Sequence, residues 1–208
     1  FTLPAGFQKD KVLLHFGAVD QEAVVYLNGN HVGTHTGGYL PFTFEITDLV
    51  KEGENLLEVE TVDKLDTDYP YGKQRNKRGG MWYTPISGIW QAVWLESMAD
   101  DYFTRIKLTP TLDSITIETE GGKEEKTVVI HTEKGDIVYK WTGDKTVVKI
   151  PEPKLWTPEN PYLYEFTLTD GIDEIESYFA LRTIDIQQKN GRSYICLNGK
   201  PYFFHGLL

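Results

Sequence analysis

The chain has 208 residues, 40% hydrophobic and 25% charged, with a formal net charge of −10 and an isoelectric point near 5.0. That acidic balance argues against a duplex nucleic-acid binder, which needs a basic stripe to displace counterions from phosphates, and against adsorption to an anionic membrane surface. No apolar run approaches the ~18–20 residues that span a bilayer, no signal-peptide pattern opens the chain, and a single cysteine, Cys196, leaves the redox compartment undecided.

The predicted elements are almost all strands. Asn28-Gly29 predicts a tight hairpin, because Asn-Gly tolerates the positive φ angles such a turn requires. Phe42, Phe44 and Ile46 then alternate with Thr43 and Glu45, a half-buried strand. Thr47 to Val50 reads as a single helical turn ended by Lys51-Glu52-Gly53. Residues 63 to 80 show no strand pattern. An irregular stretch of that length in a compact domain is functional or disordered. It carries Asp63, Asp66 and Asp68, then Lys73, Arg75, Lys77 and Arg78, with Gly79-Gly80 as breakers. Trp90 and Trp94 are expected on one face of the next strand, in the core.

A polar step at Met98-Ala99-Asp100-Asp101 predicts a domain break before the strand Phe103 to Leu108. Lys134-Gly135 and Asp170-Gly171 mark further turns. Tyr162, Tyr164, Phe166 and Leu168 alternate with polar or outward neighbours, and Ile175, Ser177, Phe179 and Leu181 do the same. Asn190-Gly191 and Asn198-Gly199 predict two more hairpins, followed by an apolar tail from Phe203 to Leu208. With Phe1 in place of an initiator Met, that tail suggests a chain cut at both ends. Short strands at 8–12-residue spacing, with 13% aromatic residues, predict an all-β chain of sandwiches.

Motifs for chemistry are sparse. The sequence has no Gly-x-Ser-x-Gly elbow, no His-Glu-x-x-His, no paired cysteines and no Walker loop. Asp66-x-Asp68 could begin a calcium loop, but the further ligands and the downstream bidentate Glu are missing. His31 and His35 stand four apart in a hairpin rather than on a helix. No catalytic residue, metal or cofactor is therefore expected in this chain.

A series of phrases does stand out in order. It runs Leu14-His15-Phe16-Gly17-Ala18-Val19-Asp20, Val25-Tyr26-Leu27-Asn28-Gly29-Asn30-His31-Val32-Gly33, Gly37-Gly38-Tyr39-Leu40-Pro41-Phe42 and Ser87-Gly88-Ile89-Trp90-Gln91-Ala92-Val93-Trp94. It continues with Leu155-Trp156-Thr157-Pro158-Glu159-Asn160-Pro161-Tyr162 and Leu197-Asn198-Gly199-Lys200-Pro201-Tyr202-Phe203-Phe204-His205-Gly206. This series resembles the non-catalytic front half of glycoside hydrolase family 2, the β-galactosidase and β-glucuronidase family.

The resemblance implies a jelly-roll, galactose-binding-like sandwich over 1–98, an immunoglobulin-like sandwich over 99–183, and over 184–208 a hairpin and first strand of a (β/α)₈ barrel. The two family glutamates, acid/base and nucleophile, would lie in the rest of that barrel, about 5–5.5 Å apart in a retaining enzyme. Arg182 would tie the second sandwich to the barrel start by hydrogen bonds. The implied partners are the carbohydrate substrate of the parent enzyme and its own barrel, and a homo-oligomeric parent is compatible with this.

The resemblance further places Asp66, Asp68, Gln74 and Trp82 nearest the sugar. It also shows a departure. Where relatives whose jelly roll reaches the active site carry an aspartate, five residues before the position of Ser87, this chain has Trp82. Trp stacks on a pyranose face but cannot accept a sugar hydroxyl, so neither galactose nor glucuronate is assigned. Two rival readings are a free-standing carbohydrate-binding module with an immunoglobulin-like companion, and a structural protein of tandem sandwiches.

Overall fold

Three Asn-Gly dipeptides reverse the chain where the sequence expects them to, each with both residues at positive φ: 52° and 79° at Asn28-Gly29, 53° and 71° at Asn190-Gly191, 52° and 74° at Asn198-Gly199. Two consecutive positive φ values give the turn a twist that matches the strands it joins. The computed structural model describes residues 1–77, 79–204 and 206. Arg78 of the loop's basic cluster, and His205, Leu207 and Leu208 of the apolar tail, lie outside the described residues. All regular structure among the described residues is β, and the chain divides into two compact units, Phe1–Asp100 and Asp101–Leu208.

The first unit contains β1 (Lys11–Phe16), β2 (Val19–Asp20), β3 (Glu22–Leu27), β4 (Asn30–Thr36), β5 (Phe42–Glu45), β6 (Leu57–Val62), β7 (Gly88–Ile89) and β8 (Val93–Met98). Two antiparallel sheets, β5-β1-β8 and β4-β3-β6, face each other, and β2 pairs with β7 beside them. Alternation puts Val12, Leu14 and Phe16 of β1 and Ala23, Val25 and Leu27 of β3 into one core, sealed by Ile46. These side chains are all but fully buried, and each contributes roughly 1.5–3 kcal/mol of apolar transfer, alanines less. The predicted turn after β5 forms, with the N–H groups of Leu49 and Val50 both returning to the carbonyl of Ile46.

The second unit contains β9 (Phe103–Pro110), β10 (Ser114–Gly121), β11 (Glu125–Ile130), β12 (Ile137–Thr142), β13 (Lys145–Lys149), β14 (Tyr164–Thr169) and β15 (Glu174–Phe179), then β16 (Ile184–Lys189), β17 (Arg192–Leu197) and β18 (Lys200–Pro201). Sheets β13-β10-β9 and β12-β11-β14-β15 form an immunoglobulin-like sandwich. Its core joins Ile115 and Ile117 to Val128, Ile130, Tyr164, Phe166 and Leu168. The third sheet, β16-β17-β18, is tied on by Asn198. Its Oδ1 accepts the N–H of Thr183 at 3.0 Å and its Nδ2 donates to the carbonyl of Trp156 at 3.0 Å. The Arg182 guanidinium lies over the Trp156 ring, 4.7 Å from its centroid.

Candidate functional site

Between β6 and β7, the described residues of 63–87 form no regular strand, only the isolated bridges Gln74↔Tyr83 and Gly79↔Trp82. A sequence with turn formers and charges but no alternation has no sheet face to bury, so its backbone groups are met locally. Arg75 donates its N–H to the carbonyl of Tyr83, and Tyr83 returns one to that of Lys73. Gln74 is the staple. Its Nε2 donates to the carbonyl of Tyr71 and its Oε1 accepts the N–H of Ile86, both at 2.7 Å.

Beside that staple opens a cavity of about 240 Å³, lined by Asp20, Tyr39, Gln74, Ile86, Ser87, Gly88 and Trp90. Asp20 ends β2, Tyr39 follows the Gly37-Gly38 corner, and Trp90 follows β7. Trp90 does not continue a strand into Trp94. The chain leaves β7 after Ile89 and re-enters a strand only at Val93, and Gly17 donates its N–H to the carbonyl of Ala92 just ahead of that strand. The expected placement of both tryptophans in the core is thus corrected: Trp90 is 50% exposed and Trp94 is 42% exposed. Trp94 stacks on His15 at 4.9 Å. Trp90 donates its indole N–H to the carbonyl of Gly38 at 2.7 Å, and Tyr39 meets its ring edge-on at 6.1 Å.

The electrostatics of the cavity rest on Asp20. Burial, and next the charge of nearby Asp63, raise its carboxyl above the usual aspartate range. Among the described residues no hydrogen bond reaches the Asp20 carboxylate. Asp63 is not part of the cavity wall, so the two carboxylates do not face each other across it.

Of the four residues expected nearest a sugar, the structure brings only Gln74 to this cavity. Asp66 is exposed and accepts the N–H of Asp68, a local turn contact. Trp82 is half-buried, with the Arg75 guanidinium 4.4 Å from its ring centroid, so that face is already covered by a cation. Asp20, Tyr39, Ser87 and Trp90 were not singled out as sugar contacts by the sequence. Two adjacent glycines before a tyrosine were the available signal, since a side chain at Gly38 would run into the Asp20 carboxylate.

A second cavity of about 240 Å³, in the second unit, runs from Thr132 to Tyr164. Its charged groups already hold partners: Lys134 pairs with Glu152, and Lys154 with Glu133.

Comparison with known proteins places these features in a family context. A model described as the glycosyl hydrolase 2 galactose-binding domain-like region matches residues 1–91, and a glycosyl hydrolases family 2 model matches residues 102–182. A β-galactosidase from Thermoanaerobacter pseudethanolicus is 32% identical over all of this chain and 30% of its own length. A β-glucuronidase from Felis catus is 27% identical over 99% of this chain and 37% of its own. A solved β-glucuronidase structure from an uncultured Clostridium species superposes with a TM-score of 0.77, at 28% identity, over 98% of this chain and 37% of that one. The chain therefore spans about a third of the length of these relatives.

Proposed function

This chain belongs to glycosyl hydrolase family 2, and on that premise we propose that it is the non-catalytic front part of a β-glycosidase. The parent acts on a β-galactoside or a β-glucuronide, the two classes named for its relatives. One observation carries the reading: two family models match in order over 1–91 and 102–182, while the chain covers only 30% of one relative's length and 37% of another's.

In this reading residues 1–98, 99–183 and 184–208 are jelly roll, immunoglobulin-like sandwich and barrel entry. Retaining hydrolysis needs two carboxyl groups about 5–5.5 Å apart on either side of the scissile bond. Such a pair belongs to the barrel, and the 208-residue chain contributes none. Its part is to frame the substrate entrance with the 63–87 loop, where Trp82 offers an aromatic edge in place of a carboxylate.

Nitrophenyl β-galactoside and β-glucuronide incubated with the 208-residue chain should show no release above buffer. The protein encoded by the uninterrupted gene should cleave one of them. Turnover by the 208-residue chain itself would overturn the proposal.

A further inference from the structure

The cavity beside the Gln74 staple supports a reading that goes beyond a place in a larger enzyme. We propose that the pocket formed by Asp20, Tyr39, Gln74, Ser87 and Trp90 binds a single uncharged pyranose. Hydrolysis is not part of this proposal, and the pocket should fill in the 208-residue chain without any barrel.

The aromatic corner comes first. Trp90 and Tyr39 meet at 72°, and both rings are about half in solvent, Tyr39 at 58%. The indole is also fixed by its hydrogen bond to Gly38, so its rotamer freedom is lost before any ligand arrives. A pyranose has an apolar face of C–H groups edged by hydroxyls, and a fixed, wet aromatic ring is a surface such a face can cover without further ordering cost.

The polar groups complement hydroxyls. Asp20 is an acceptor with no hydrogen bond from the described residues, and a carboxylate can accept hydrogen bonds from two hydroxyls at once. Gln74 is held from both ends of its amide, which leaves one N–H of Nε2 and one lone pair of Oε1 in a fixed direction. Ser87 adds a hydroxyl that can donate or accept. At about 240 Å³ the cavity falls below the ~300–1,000 Å³ range of pockets for drug-sized ligands, the scale of one ring.

Charge sets the selectivity. A uronate would bring another carboxylate toward Asp20, whose carboxyl is already raised by burial and next by the charge of nearby Asp63. Neutral sugars avoid that cost.

The test is a titration of the 208-residue chain with methyl β-D-galactopyranoside, methyl β-D-glucopyranoside and sodium D-glucuronate, followed by the indole N–H signal of Trp90 in NMR spectra. A neutral glycoside should shift that signal saturably with a millimolar Kd, and glucuronate should bind at least about tenfold more weakly. Asp20→Asn should weaken the neutral glycoside about tenfold and narrow its advantage over glucuronate. Tyr39→Ala, at a ring already in solvent, should weaken binding with the fold intact, and it carries the test if the Asp20 variant does not fold. Absence of a saturable shift with both neutral glycosides, glucuronate binding as tightly as they do, or an unchanged Kd in Tyr39→Ala would overturn the proposal. Glycoside cleavage by this chain would bear on the previous section only.

Discussion

Trp90 and Gly38, 52 positions apart, are joined by one indole-to-carbonyl hydrogen bond of 2.7 Å, and the α-carbon of Gly38 faces the Asp20 carboxylate on its other side. A side chain at position 38 would place its Cβ 2.4 Å from Asp20 Oδ1 and 3.2 Å from Asp20 Cγ.

Gly38→Ala should therefore push Asp20 aside and destabilise the first unit by about 1–3 kcal/mol, the usual range for overpacking a fitted site. Tryptophan fluorescence during urea unfolding reports it, and an unchanged midpoint would show that the corner yields freely. Trp90→Phe keeps an aromatic ring but loses the indole donor. The orphaned Gly38 carbonyl should cost about 1–2 kcal/mol.

Gly121 is a sharper case in the second unit. It sits at the register shift between β9 and β10, at φ +76°, and an added Cβ would lie 2.3 Å from the carbonyl oxygen of Tyr102. Backbone cannot rotate away as a side-chain tip can, and the left-handed conformation disfavours any L side chain. Gly121→Ala should destabilise this unit by more than about 2 kcal/mol, read as a lower urea midpoint. Gly171→Ala, also at positive φ but with open space around it, should cost about 1 kcal/mol.

Asp170 gives the second unit an acid-sensitive point. Burial pushes its carboxyl up, but the N–H groups of Asp173, Lys123 and Ile172 more than reverse this, leaving it below the ordinary value of 3.8. The folded chain thus binds this proton less readily than the unfolded chain. The stabilisation is complete above the ordinary value and is lost as pH falls through the lowered one. Thermal melts between neutral pH and pH 2 should show a shallower acid limb in Asp170→Asn, together with a loss of about 1–2 kcal/mol at neutral pH. An acid limb of unaltered steepness would remove Asp170 from the account.

Lys126 is buried along its whole stem, its side chain 1% exposed, while its Nζ reaches the carbonyl of Gly143 at 3.3 Å and Asp144 Oδ1 at 3.5 Å. The stem fills space and the ammonium costs desolvation. Lys126→Met should stay within about 1 kcal/mol of the parent, whereas Lys126→Ala should lose about 2–4 kcal/mol through the cavity it leaves. Equal losses from the two substitutions would mean that the charge, rather than the stem, is what position 126 supplies.

Strands, hairpins and the two sandwiches were legible because their signals are local. Alternation names the buried face of β5 or β14 without reference to anything distant, and Asn-Gly carries its turn geometry in two residues. The cavity was not legible, because its walls come from Asp20, Tyr39, Gln74 and Trp90, brought together by strand pairing and one long-range hydrogen bond. Trp90 illustrates the limit. Both rings share one parity, but it is the outer one: Trp94 pairs with His15 on the exposed face while Leu95 packs against the core, and alternation alone does not say which face is buried. Gln74 was placed near a sugar by its loop, but much of its amide serves the loop itself.

The three Asn-Gly turns also differ in how they age. Asn28 and Asn198 have their amides engaged, Asn28 with Leu49, Asn55 and Leu56, and Asn198 with Thr183 and Trp156. Asn190 lies exposed at the tip of β16–β17, with no side-chain bond among the described residues. An asparagine followed by glycine cyclises to a succinimide when its amide carbon is free to meet the next backbone nitrogen. Stored protein should therefore acquire a more acidic form by deamidation at Asn190 first, visible as a new peak in ion exchange that Asn190→Asp reproduces.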